Sequence, residues 1–163
     1  MIGDVGQGMG NMKAGFALLV DDDTHNLVRR LAWLMHQQHG TSLRACLLPP
    51  HISLKQPFAI ADLAGLEAFG AAFAASIQPF EIRLTELQVL PAVVDGKDSG
   101  LLWIDVQESE TLRRIHNRLN DELSRRFGDT HAPYDGPDYH FHMTVMMGDQ
   151  PYATYRQFYN ELP

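Results

Sequence analysis

Two short stretches of this 163-residue chain carry side chains that could do chemistry together. In Pro50-His51-Ile52-Ser53-Leu54-Lys55 an imidazole, a hydroxyl and an ammonium recur at every second position. A strand sends alternate side chains to opposite faces, so His51, Ser53 and Lys55 would share one face and Ile52 and Leu54 the other. The same grammar returns in Tyr139-His140-Phe141-His142-Met143-Thr144-Val145-Met146, with His142 and Thr144 on one face and Phe141, Met143 and Val145 on the other. Imidazole titrates near neutrality, so a facing pair can hold one neutral base and one protonated acid. The base would take a proton from an attacking hydroxyl or water, and the acid would give one to the leaving oxygen. The hydroxyls of Ser53 and Thr144 would donate hydrogen bonds to the group that gains negative charge between them. A phosphodiester fits this layout, and the chemistry calls for no metal and no cofactor. Which histidine is acid and which is base is left open by the sequence.

Either motif alone is a weak signal in a chain with eight histidines and is better read as an ordinary strand histidine. The pair says more. The two histidines lie 91 residues apart, one in each half, and each keeps a hydroxyl on its own face and apolar residues on the other. His140 shares a face with His142, and His140-x-His142 has the spacing of a metal pair, but no Asp, Glu or Cys stands at clear ligand spacing. Lys55 fits a phosphate contact or a strand-edge charge equally well. Tyr134, Tyr139 and Trp103 suit base stacking or plain packing. His131 belongs to a loop and reads as solvated. His25, His36, His39 and His116 fall on predicted helices, where exposed polar faces account for them.

These motifs need elements to position them. Residues 14–20 read as a buried strand, followed by a helix capped by Asp23 or Thr24, with Leu27, Leu31, Leu34 and Met35 inward and Gly40 as its stop. Leu43 to Leu48 suggest a second strand, broken by Pro49-Pro50 before His51. A helix over 62–77 shows one apolar stripe and an alanine-rich remainder that predicts cover on more than one side. A long or bent strand spans the region from Phe80 to Leu90, and Asp95-Gly96 and Ser99-Gly100 mark a loop. Leu101 to Val106 is the clearest strand, and residues 109–127 read as a third helix, with Leu112, Ile115, Leu119, Leu123 and Phe127 at helical spacing and Gly128 ending it. Residues 129–138 form a polar loop leading into the second motif, read as mobile, and a last helix follows Pro151. Strands interrupted by isolated helices predict an α+β domain with largely antiparallel sheet.

The bulk properties set bounds. The length suits one domain, read as a single bilobal domain over 13–163 behind a flexible, Gly-rich leader over 1–12. A net charge of −7 argues against a hold on a long nucleic-acid tract, which needs many phosphate contacts, but permits a small nucleotide or an RNA end in one pocket. Cys46 is alone, which suits a reducing, cytoplasmic compartment. No apolar run reaches the roughly 18–20 residues of a membrane span, so no membrane partner is expected. Oligomeric state is not readable.

The run Pro50-His51-Ile52-Ser53-Leu54-Lys55-Gln56-Pro57-Phe58, with His142-Met143-Thr144-Val145, resembles the paired His-x-Thr/Ser motifs of the two-histidine phosphoesterases, a group that includes the 2′-5′ RNA ligase-like cyclic phosphodiesterases. The segment from Leu87 to Glu110 is similar to the region between the motifs there, and the likeness runs from about Ala14 to Gly148. The resemblance implies a bilobal α+β fold, with two antiparallel sheets related by pseudo-twofold symmetry and facing a central cleft, and helices on the outer faces. It implies metal-independent opening of a 2′,3′-cyclic phosphate or related 2′-linked phosphodiester. It also implies that His51 and His142 are the acid–base pair and Ser53 and Thr144 the phosphate holders. Lys55, His140, Tyr134 and Tyr139 are then candidates for substrate contact. Two departures stand out: Ser53 replaces the commoner threonine, and Met146 and Met147 occupy the place where many relatives carry a basic residue. A non-catalytic nucleotide- or RNA-end-binding module of the same fold is the alternative, and a metal-dependent hydrolase using His140 and His142 a third reading.

Overall fold

The computed structural model describes residues 12–162. Apart from Met12, the expected leader lies outside them. In chain order the elements are β1 (Lys13–Leu19), α1 (Asp22–His39), a 3₁₀ turn (Arg44–Leu47), β2 (His51–Ala59), α2 (Leu63–Ala75), β3 (Leu84–Val94), β4 (Lys97–Val106), α3 (Glu110–Phe127), β5 (His142–Met147) and α4 (Tyr152–Glu161). The fold is α+β, with one sheet of β1 and β2 and an antiparallel sheet in the order β3-β4-β5. The chain forms two compact units. Of the described residues, the first contains those up to Ala17, Ser53–Glu81 and Glu108–His140; the second contains Leu18–Ile52, Ile82–Gln107 and those from Phe141 on. The division falls inside β2, between Ile52 and Ser53.

In the second unit, α1 and α4 pack against the β3-β4-β5 sheet and against each other, and the 3₁₀ turn packs on β5. The core is Val28, Ala32 and Met35 of α1, Leu102, Ile104 and Val106 of β4, Met143, Val145 and Met146 of β5, and Tyr155 and Phe158 of α4. Fully burying each of the larger side chains stabilises by roughly 1.5–3 kcal/mol. The helix stripe differs from the expected one: Val28, Ala32 and Met35 point inward, while Leu27 and Leu34 are exposed. The N-cap also differs. Asp21, not Asp23 or Thr24, caps α1, its carboxylate accepting from the Thr24 amide at 2.8 Å, and these hydrogen bonds hold its carboxyl below the usual range.

The segment 43–48, expected as a strand, is a 3₁₀ turn, closed by the Cys46 amide donating to the Leu43 carbonyl. Arg29 fixes its end by donating to the Leu48 carbonyl at 2.7 Å. Ser99-Gly100 is not loop but part of β4, because Asp95-Gly96 alone turns the hairpin, with Val94 opposite Lys97. Both turn residues have positive φ, 52° and 75°, as a tight two-residue hairpin requires. Gly100 has a separate reason: a Cβ there would run into the ring of Tyr155. Burial, with the Asp149 charge as a lesser contribution, pushes the Tyr155 hydroxyl up to about 12. Gly100→Ala should force α4 off β4 and cost about 1–3 kcal/mol, the usual size of an overpacking penalty, read as a lower urea midpoint.

In the first unit, Phe16 of β1 meets Phe69 of α2 edge-on with centroids 6.0 Å apart, and Phe69 meets Phe127 of α3 at 5.8 Å. The strand β1 alternates exposed and half-buried residues, so the expectation of a buried strand is corrected: it belongs to a two-stranded sheet. Gly15 lies against the Lys55 carbonyl, 2.7 Å from where a Cβ would sit. Only Leu66, Phe69 and Phe73 of α2 are buried, so the alanine side of that helix is not covered as expected. Helix α3 is capped by Ser109, whose hydroxyl accepts from the Leu112 amide at 3.2 Å, and it ends at Gly128.

Candidate active site

The strand β2 begins at His51, immediately after the buried Pro50. Its side chains alternate as far as Leu54: His51 and Ser53 are half-buried and accessible, and Ile52 and Leu54 are buried. The His51 Nδ1 lies 2.8 Å from the Pro49 carbonyl oxygen. A carbonyl only accepts, so Nδ1 carries the proton and donates. This bond orients the ring and leaves Nε2 as the basic nitrogen of the neutral imidazole. Among the described residues the ring has no other hydrogen-bond partner.

His142 begins β5, directly opposite Asp105 of β4, and Thr144 lies opposite Trp103. Directly opposed residues project to the same face of a sheet. Asp105, Trp103, His142 and Thr144 therefore form one half-buried polar surface, while Ile104, Val106, Met143 and Val145 are buried on the reverse. The His142 imidazole stacks on the Trp103 indole, with centroids 4.1 Å apart and planes 28° from parallel. Trp103 is itself anchored, its Nε1–H donating to the Gln88 side-chain oxygen at 3.2 Å. The Thr85 hydroxyl donates to the Asp105 carboxylate at 3.4 Å. Between Thr144 and Met146 the register shifts by one residue, leaving Val145 as a bulge, so Val145 and Met146 are both buried.

The expected substrate contacts are distributed differently. Lys55 is 3% exposed, and its ammonium is ion-paired with Asp135. It is neither a strand-edge charge nor presented to solvent. Tyr139 is buried too: its hydroxyl donates to the Ser53 carbonyl at 3.0 Å and accepts from the Gln56 side-chain amide at 3.3 Å. Burial raises its pKa above the ordinary phenol value. Tyr134 is exposed on the loop with φ of 70°, and His140 is exposed outside β5. Among the described residues no cluster of three or more His, Cys, Asp or Glu side chains is placed to hold a metal ion.

What these residues do instead is fix β2. Three of its backbone groups are satisfied by side chains: the Ser53 carbonyl by Tyr139, the Leu54 carbonyl by His116 Nδ1 at 2.9 Å, and the Gln56 amide by Asp135 at 3.3 Å. The loop supplying two of them is tied down as well. Arg113 donates to the carbonyls of Gly136 and Tyr139, and its Nη2 pairs with Glu108 at 2.6 Å. That bond, chiefly, lowers the Glu108 pKa and raises that of Arg113. Sequence reasoning passed over Asp105, Gln88 and Asp135. The first had a signal, since Trp103-x-Asp105 alternates within the clearest strand.

His116 corrects another expectation. It is not on the exposed side of α3 but fully buried, stacked on Tyr139 with centroids 4.5 Å apart. Desolvation holds its pKa below the ordinary imidazole value. The unfolded chain then binds a proton near pH 6.5 that the folded chain refuses, so stability falls as pH drops below about 6.5. Urea midpoints measured between about pH 7.5 and 5 should show this loss, and His116→Gln should show a shallower one.

Comparison with known proteins agrees with this arrangement. A family model described as the 2′-5′ RNA ligase superfamily matches residues 20–162, a span that takes in both motifs. The chain belongs to the 2′-5′ RNA ligase superfamily, one of two-histidine phosphoesterases. It is also similar to a Geobacillus sp. (strain WCH70) protein named "Putative phosphoesterase", at 27% identity over 122 residues, 71% of this chain. The matched region spans 61% of that relative's length. No solved structure matches. Among the described residues, no helix is long and apolar enough to cross a membrane.

Proposed function

We propose that this superfamily member is a metal-independent phosphodiesterase that opens a 2′,3′-cyclic phosphate, or a related 2′-linked diester, of a nucleotide or RNA end. The observation that carries the reading is the pair of accessible histidines within one compact unit, each two residues before a hydroxyl on its own strand face. His51 acts as general base: its Nδ1 proton is committed to the Pro49 carbonyl, so Nε2 offers a lone pair to the attacking water. His142 acts as general acid: stacked on the Trp103 indole and opposite Asp105 in the sheet, its ring is held in one orientation to give a proton to the leaving oxygen. Ser53 and Thr144 donate to the phosphate oxygens. Water adds to phosphorus, the P–O bond to one ribose oxygen breaks, and that oxygen leaves with the His142 proton, giving a phosphomonoester. The negative net charge favours a small nucleotide or a single RNA end over a long tract, and the lone Cys46 suits a cytoplasmic setting.

The test is hydrolysis of a 2′,3′-cyclic mononucleotide across pH, in chelator. A bell-shaped profile is expected. Binding of the cyclic nucleotide without turnover at any pH would replace this reading with a nucleotide-binding module of the same fold.

A further inference from the structure

Helices α2 and α3 of the first unit border an open groove of ≈ 590 Å³, lined among others by Phe69, Phe73, Arg118, Glu122, Arg125 and Arg126. Its charge is the reverse of the chain's. The whole protein carries −7, while this groove sets three guanidiniums against one carboxylate. That carboxylate is already engaged: Glu122 lies 3.1 Å from Arg118. Arg125 and Arg126 have no acidic partner among the described residues. Arg125 Nε donates only to the Asp121 carbonyl, and the Arg126 guanidinium lies 5.8 Å from the Phe69 ring and 5.7 Å from that of Phe127. Arg118 is held flat, its guanidinium 4.4 Å over Phe73 and donating to the Ser76 hydroxyl.

We propose that this groove is a second ligand site, for a nucleoside monophosphate. The guanidinium fork matches phosphate oxygens bidentately, which gives Arg125 and Arg126 the counter-ion the protein does not supply. The outer face of Arg118, already stacked on Phe73, offers a planar platform for a base, and the Phe69 and Phe73 rings make the floor apolar. The volume lies within the roughly 300–1,000 Å³ usual for small-molecule sites. The site is independent of the two histidines and stands whether or not they turn over substrate.

The experiment is an amide NMR titration of the full chain with AMP, reading Ala72, Ser76 and the α3 signals around Arg125, in the wild type and in His51→Ala/His142→Ala protein. Saturable shifts at the groove are expected in both. Arg125→Gln/Arg126→Gln should weaken them at least tenfold, and Arg44→Gln, an exposed arginine outside the groove, should leave them unchanged. Shifts that survive the Arg125/Arg126 exchange, or that vanish in the histidine double variant, would overturn the proposal. Equal affinity for inorganic phosphate would reduce it to an unspecific anion site. Displacement of AMP by an acidic peptide at equal concentration would assign the groove to a protein partner instead.

Discussion

His51→Ala and His142→Ala should each lower the turnover of a 2′,3′-cyclic nucleotide by about 10²–10⁴-fold, the usual contribution of one positioned acid or base. The two losses should differ in their pH signature. Without His51 the limb that rises as the base loses its proton should disappear; without His142 the limb that falls as the acid deprotonates should disappear. The double variant should be little worse than the weaker single one, since residues acting as a unit are not additive. Neither change should unfold the protein, because both side chains are only half-buried and the apolar faces behind them stay intact. Steady-state rates across pH for the three variants, with urea midpoints as a control, are the measurement. Equal residual turnover in wild type and single variants would remove both histidines from the chemistry.

Asp135→Ala should be among the most destabilising single changes available. It strands the Lys55 ammonium, whose side chain is 2% exposed, with no other acidic partner in contact among the described residues. Breaking a buried pair by removing one member costs about 3–5 kcal/mol, a large share of the roughly 5–15 kcal/mol that holds a domain folded. The Gln56 amide also loses an acceptor. Lys55→Met with Asp135→Leu should recover most of the loss, because the desolvation penalty of both charges disappears with them. Urea unfolding of the single and double variants gives the two values. A single variant within 1 kcal/mol of wild type would mean that water reaches the ammonium.

Where a side-chain pattern is decided by neighbours along the chain, it could be read directly. The alternation at His51-Ile52-Ser53-Leu54, the helix ended by Gly128 and the turn at Asp95-Gly96 all depend on local periodicity or on a residue that tolerates positive φ. What escaped was decided by partners distant in sequence. Whether Leu43 to Leu48 extends depends on a neighbouring strand to pair with, and the segment instead packs on β5 and is held by Arg29. Leu27 and Leu34 look like core, but the side of α1 that turns inward is chosen by what β5 and α4 offer. Lys55 looks like a phosphate contact until Asp135, 80 residues on, claims it. The histidines and hydroxyls of the candidate site were visible; the indole under His142 and the carboxylate opposite it needed the register of β4 and β5.

The extra residue at Val145 works as an expansion joint. Upstream of it, Trp103 and Asp105 hold Thr144 and His142 in fixed registration; downstream, Met146 and Met147 align with Leu102 and Leu101 on a different count. Met146 and Met147 therefore belong to a stretch of β5 whose pairing with β4 is offset by one residue from that of His142 and Thr144. A change of side chain at Met147, the exposed one of the two, should leave the pairing of His142 with Asp105 and of Thr144 with Trp103 in place.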